Sequence, residues 1–138
     1  MTVFFDTNVL IYSISAAPEE AAKRDAARGV LRRPDGALSV QVLQEFYTQA
    51  TRPSRPGRLS HGEAAGFVRA WTRFKVQDNT LAVLRMALEI TETYRFSYWD
   101  SAVVAAARAA GCTELFTEDL SHGQVVEGVR IVNPFHQD

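Results

Sequence analysis

The sequence predicts an α/β fold: about five short, mostly parallel strands sandwiched between helices, in a single domain spanning residues 1–138. Three observations predict it. Brief apolar runs rich in strand formers alternate with longer amphipathic stretches, turn residues separate them, and neither an internal repeat nor a low-complexity tract interrupts the alternation. Strand, helix and strand in succession imply right-handed crossovers, which lay helices on the faces of a parallel sheet. At 138 residues, 46% hydrophobic and 22% charged, the chain supports one core rather than two domains.

The elements follow in order. Val3, Phe4 and Phe5 are too few for a helix and read as a buried strand closed by Asp6, which begins the outgoing turn. Pro18, Glu19 and Glu20 open a helix, because proline fits a first turn and acids its positive end. Ala22, Ala26 and Val30 are its expected inner face, with Arg28, Arg32 and Arg33 near its end. Pro34-Asp35-Gly36 stops it. Ala37 to Val40 reads as a second strand and Gln41 to Thr51 as a helix that buries Val42, Phe46 and Ala50, leaving Gln41, Glu45 and Gln49 on a polar stripe. Ser60 and Glu63 have the capping-box spacing, with Leu59 as staple, for a helix through Trp71 and Phe74. Beyond an extended piece near Val76, Thr80 caps a helix to about Thr93 expected to turn Leu84, Ala87, Leu88 and Thr91 inward. Ser97 and Asp100 repeat the capping-box spacing before an alanine-rich helix stopped by Gly111. Leu115 and Phe116 form a strand ending at Thr117, Glu118 and Asp119, and Val129, Ile131 and Val132 form the last one before Pro134.

Composition narrows the function classes. No stretch approaches the ~18 apolar residues of a membrane span, and the few apolar residues before Asp6 lack the basic lead-in of a secretory signal, so a cytoplasmic protein is expected. The single cysteine, Cys112, precludes an internal disulfide framework and reads as a small core residue. A net charge of −1 gives no nucleic-acid signal by itself. Arg52, Arg55 and Arg58, however, share one proline-rich loop, TRPSRPGRLS. Two readings of it stay open: a phosphate contact, or a proline-stiffened connector.

Four acids stand where apolar runs stop: Asp6 after FF, Glu45 in SVQVLQEFY, Asp100 in FSYWDSAVV and Asp119 in LFTEDLSHGQ. In open α/β sheets the functional crevice lies at the carboxyl ends of the strands, where Asp6 and Asp119 fall. Glu45 follows its strand by about a turn and a half of helix. Asp100 reaches the same end if a strand precedes its helix. Each acid taken singly also has a plain reading, as turn former, surface charge, cap or loop residue. Together, and beside Phe4, Phe5 and Trp99, unpaired carboxylates would be costly, so a shared cation is expected. All-oxygen ligands suit one or two Mg²⁺ or Mn²⁺ ions, not zinc. The histidines, His61, His122 and His136, are expected at the surface or in packing.

FFDTNVLIY, SVQVLQEFY, FSYWDSAVVAAA and LFTEDLSHGQ, in this order and spacing over nearly the whole chain, resemble the acidic motifs of PIN-domain ribonucleases, especially the VapC-like toxins of toxin-antitoxin pairs. The resemblance implies a PIN-like fold and assigns Asp6, Glu45, Asp100 and Asp119 to a catalytic, metal-binding cluster. It makes Asn8 and Thr117 its supports, with Glu118 sharing or assisting the role of Asp119. It further implies metal-dependent hydrolysis of RNA to a 5′-phosphate and a 3′-hydroxyl, a homodimer, and a small antitoxin protein that blocks the cleft. Arg52, Arg55 and Arg58 then become candidate contacts to flanking RNA backbone.

Two other strand-Asp families fit less well. A haloacid-dehalogenase-like phosphatase needs an aspartate two positions beyond its nucleophile, where this chain has Asn8. A receiver-like Mg²⁺-binding signalling domain needs a lysine at a late strand end, and the two lysines, Lys23 and Lys75, are not so placed. A PIN fold kept only as a binding scaffold is the remaining alternative; the intact acids speak against it.

Overall fold

The structure is a computed structural model that describes residues 2–137; Met1 and Asp138, the end points of the expected domain, lie outside the described residues. Five parallel strands form the sheet: β1 (Val3–Phe5), β2 (Gly36–Ser39), β3 (Lys75–Gln77), β4 (Glu114–Phe116) and, beyond a two-residue β5 (Val125–Val126), β6 (Val129–Val132). The spatial order is β3-β2-β1-β4-β6-β5, and β5 pairs with β6 antiparallel. The expected five strands are thus joined by a sixth, a hairpin partner too short to carry a periodic pattern. The chain leaves β1 toward β2 and β3, then crosses to β4 on the other side, so the order reverses between β1 and β4. Such a switch point opens a crevice at the strand carboxyl ends.

The helices are α1 (Thr7–Ser13), α2 (Ala21–Val30, after a 3-10 turn at Pro18–Glu20), α3 (Val40–Ala50), α4 (His61–Trp71), α5 (Leu81–Tyr94) and α6 (Tyr98–Ala109). Where a turn is expected after Asp6, α1 begins at once. Asp6 is extended and its carboxylate accepts from the Thr7 N–H at 2.7 Å, capping the helix. Val40 belongs to α3, because Ser39, the last residue of β2, caps that helix by accepting the Val42 N–H.

The core is built on β1, whose three residues are fully buried, with Leu38, Val42, Phe46, Val104, Leu115 and Ile131 around them. Gly36 sits beneath the Phe5 and Phe74 rings, where an added Cβ would come within 2.5 Å of Phe5 Cε2. The close approach of β2 to those rings requires glycine there.

Three faces depart from expectation. In α2 Ala27 is buried and Ala22 is exposed, so the inner face lies to one side of the one expected. In α5 Val83, Ala87 and Ile90 face the core, while Leu84 and Leu88 are 40% and 53% exposed. That helix is apolar on both sides and periodicity alone selects neither. α4 ends at Trp71, so Phe74 is buried outside it. Trp71 packs edge-on against Phe46 at 4.6 Å.

Candidate active site

The sheet register builds the site. Phe5 pairs with Phe116, so the residues that follow, Asp6 and Thr117, leave adjacent strand ends side by side. The Asp6 N–H still bonds the Phe116 carbonyl at 3.1 Å. The Thr117 hydroxyl donates to Asp6 Oδ2 at 2.8 Å and receives the Asp119 N–H at 3.1 Å. From the first turn of α1, the Asn8 side-chain amide points its N–H group at Asp6 (3.4 Å), Thr117 (3.1 Å) and Asp119 (3.3 Å). Asn8 and Thr117 therefore bond each other and both bond Asp6.

Glu45 arrives from the neighbouring strand. Since β2 lies beside β1 and α3 starts directly at its end, Glu45 comes within reach of α1. The Thr7 hydroxyl donates to its Oε2 at 3.0 Å and the Gln41 amide to its Oε1 at 2.9 Å. Asp6, at the centre of the sheet, is flanked by Glu45 on one side and Asp119 on the other. These acids line a cleft of about 340 Å³ with Thr7, Asn8, Tyr12, Gln49, Arg55 and Glu118.

Asp100 is brought in differently. The element before its helix is α5 rather than a strand, yet the carboxylate faces Asp119 closely enough to push that group's pKa upward. Ser97 caps α6 through the Asp100 N–H at 3.2 Å, but the reciprocal bond that closes the Ser60/Glu63 capping box is not made here. The Asp100 carboxylate is thus not spent on the cap.

The electrostatics are those of crowded carboxylates. Asp6 is 6% exposed, and its pKa is raised to about 7, first by burial and further by the charges of Asp119 and Glu45, against the bonds from Thr117 and Thr7. Asp119 is raised by partial burial and by Asp100, Glu118 and Glu45, while Asn8 opposes. Among the described residues no group of three or more His, Cys, Asp or Glu side chains is already arranged to grip an ion. Glu45 is turned onto Thr7 and Gln41, and Asp119 onto Asn8. The donor chemistry nevertheless fits a hard divalent cation: every donor is oxygen, and a positive charge would relieve the uncompensated Asp6.

Glu118 and its neighbour have different partners. The Glu118 carboxylate accepts from Tyr12 OH at 2.9 Å and pairs with Lys23 at 3.2 Å, so its charge is met there, while Asp119, the more exposed of the two, turns to Asn8. Sequence reasoning missed this Tyr12–Lys23–Glu118 group, whose members lie far apart along the chain. It also gave no role to Thr7, inside the D-T-N triplet, or to Gln41, four residues before Glu45. Of the three loop arginines, Arg55 lines the cleft and is half-buried, whereas Arg52 and Arg58 are exposed. His61 bonds Tyr47 OH at 2.8 Å and His122 stacks on His136, both away from the acids. Cys112 is buried, and its thiol is raised to about 11 by that burial.

Comparison with known proteins follows the same lines. The PIN domain family profile matches residues 3–127. No curated protein sequence matches the chain significantly. Among solved structures, a toxin-antitoxin complex from Klebsiella pneumoniae superposes with a TM-score of 0.73 at 20% identity, over 99% of this chain and 100% of that one. VapC20 of Mycobacterium tuberculosis, described as a Sarcin-Ricin loop cleaving toxin, gives 0.67 at 22% identity over 86% and 92%. DNA-bound VapBC of Salmonella typhimurium gives 0.64 at 21% over 95% and 96%. At these identities the likeness is one of fold. The profile match extends over most of the sequence and takes in all four acids: the chain belongs to the PIN domain family.

Proposed function

We propose that this protein is a divalent-metal-dependent endoribonuclease, the toxin of a toxin-antitoxin pair. One observation carries the reading: Asp6 and Asp119, from the ends of two adjacent strands, and Glu45, from the helix that follows a third, are interlocked by Thr7, Asn8 and Thr117 around one open cleft. The structural relatives, a toxin-antitoxin complex and an RNA-cleaving toxin among them, support the biological class.

Asp6, Glu45, Asp100 and Asp119 would hold one or two Mg²⁺ or Mn²⁺ ions. Such an ion supplies Lewis acidity, lowering the pKa of water and offsetting phosphate charge. The chain's own residues do the positioning. Thr117 and Asn8 hold Asp6 in one rotamer, Thr7 and Gln41 do so for Glu45, and Tyr12 with Lys23 draws Glu118 aside. In the hydrolysis a water oxygen bonds to phosphorus as the P–O3′ bond breaks, and a proton ends on the 3′ oxygen, leaving 5′-phosphate and 3′-hydroxyl. Exposed Arg52 and Arg58 contact the backbone on either side. Neither phosphoryl-transfer rival is favoured by the geometry. Asn8 is an amide that donates to its neighbours, Lys23 is tied to Glu118 from α2, and Lys75 bonds the Ala110 carbonyl at 2.8 Å.

The test is incubation of purified protein with a labelled mixed RNA pool and Mn²⁺ or Mg²⁺, beside EDTA and Asp100→Asn. Cleavage confined to wild type with metal is expected. Intact RNA under every metal, or undiminished cutting by Asp100→Asn, would refute the nuclease.

The partners are a small antitoxin that blocks the cleft and a second copy of the chain. For the homodimer the supporting feature is the apolar surface of Leu81, Leu84, Leu88 and Trp99, the last 62% exposed. Leu84→Glu together with Leu88→Glu is expected to convert a dimer to a folded monomer in sedimentation, and an unchanged mass would move the interface elsewhere. No helix among the described residues is long and apolar enough to cross a membrane.

A further inference from the structure

Arg55 is set apart from its two loop neighbours by its backbone. The Arg52 carbonyl accepts the Arg55 N–H at 3.0 Å and the Arg55 carbonyl accepts the Arg58 N–H at 3.1 Å, so Arg55 is shared by two consecutive turns. Each has proline in its second position, Pro53 and then Pro56, and Gly57 supplies the positive φ of 67° that a type II turn requires at its third. The Leu59 N–H bonds back to the Ala50 carbonyl at 2.8 Å and closes the loop. Two prolines and two closures hold the Arg55 backbone in place before any ligand arrives.

The side chain enters the cleft that Asp6, Glu45, Glu118 and Asp119 line. Its Nε is buried with no hydrogen-bond partner among the described residues. A guanidinium amid carboxylates would ordinarily pair with one of them, but those carboxylates are committed elsewhere, Glu45 to Thr7 and Gln41, Asp119 to Asn8, and Glu118 to Tyr12 and Lys23. What is left is an arginine on a fixed backbone at the edge of an acidic cleft, its Nε unpaired and the neighbouring carboxylates bonded elsewhere, so that an anion brought into the cleft would meet a guanidinium the protein does not itself neutralise.

We infer that Arg55 grips a non-bridging oxygen of the scissile phosphate and stabilises the charge that develops there, and so is a catalytic residue rather than one more contact to flanking backbone. The inference rests on the nuclease reading for its reaction and on the loop geometry for its residue. An aimed donor that need not reorganise acts on the transition state more than on binding, whereas exposed arginines act on binding and its salt dependence.

The experiment compares Arg55→Gln, Arg55→Lys, Arg52→Gln and Arg58→Gln in single-turnover and steady-state RNA cleavage. Arg55→Gln is expected to lower kcat by roughly 10²-fold or more with little change in KM. Lysine is expected to restore only a small part, having lost the planar fork. Arg52→Gln and Arg58→Gln are expected to raise KM a few-fold and flatten its salt dependence. Equal kcat values for Arg55→Gln and Arg52→Gln would overturn the assignment while leaving the nuclease intact. A second readout is independent of turnover: in Mg²⁺, inorganic phosphate is expected to raise the melting temperature of wild type and Arg52→Gln but not of Arg55→Gln. Should wild type leave RNA uncut, the nuclease reading alone fails and this shift decides whether Arg55 is an anion contact. An equal shift in Arg55→Gln overturns it.

Discussion

Asp6→Asn is expected to abolish RNA cleavage and, in the same protein, to make the metal-free fold more stable at pH 8. The activity loss follows from position. Asp6 is the buried member between Glu45 and Asp119, and removing a ligand charge should exceed the ~10–100-fold loss typical of residues that only orient ligands. The stability gain follows from its titration. The folded carboxyl is raised to about 7 by burial first, then by Asp119 and Glu45, from an ordinary value of 3.8. A raised carboxyl means the folded state holds the proton more tightly than the unfolded chain. The associated stability is complete below pH 3.8 and is lost as pH rises through 7. At about 1.4 kcal/mol per pH unit the loss is on the order of 4 kcal/mol in metal-free wild type. Asparagine never ionises and keeps an acceptor for the Thr7 N–H. Denaturant melts in EDTA at pH 5 and pH 8 check this. Wild type should weaken between them by more than Asp6→Asn, in which the raised Asp119 is the site carboxyl left to titrate; parallel changes would contradict the burial of an uncompensated charge.

Much of this site is legible in the sequence, for a physical reason. A buried parallel strand writes itself as an apolar run, and the residue that ends the run falls at the crevice, so Asp6 and Asp119 can be located without coordinates. Glu45 is visible as a polar interruption on a helix that otherwise buries Val42, Phe46 and Ala50. Asp100 is found by its residues, but a helix rather than a strand precedes it, and its place beside Asp119 comes from the packing of α6 on the sheet, which no local pattern encodes. The misplaced face of α5 has a plain origin. α5 carries Leu81, Val83, Leu84, Ala87, Leu88 and Ile90, enough apolar residues for two stripes, and the structure buries the other one. The Tyr12–Lys23–Glu118 group is illegible because its bonds join residues 95 and 106 positions apart, and no local pattern encodes such a meeting.

Asp119→Asn and Glu118→Gln, one position apart, are expected to behave oppositely. Asp119 lies on the acid side, bonded to Asn8 and pushed upward in pKa by Asp100 and Glu45 as well as by partial burial. Its amide variant should lose kcat by about 100-fold or more, with metal affinity falling in step. Glu118 is already satisfied by Tyr12 and by Lys23, which also lies 4.7 Å from the centre of the Tyr12 ring. Glu118→Gln keeps an acceptor for Tyr12 and loses a partly exposed ion pair worth at most about 1 kcal/mol. It should cut RNA within a few-fold of wild type, and Mn²⁺ titration of the activity should give a half-saturation point close to the wild-type one. If Glu118→Gln were the crippled variant and Asp119→Asn the active one, the acid that belongs to the cluster would be Glu118.

The central claim is that four separated acids form one cation site. Calorimetric titration of Mn²⁺ into the protein at pH 8 tests it most directly, on wild type, Asp6→Asn and Asp100→Asn. The account predicts saturable binding of one or two ions by wild type, weakened at least tenfold in each variant. No binding by wild type, or isotherms unchanged in both variants, would contradict it.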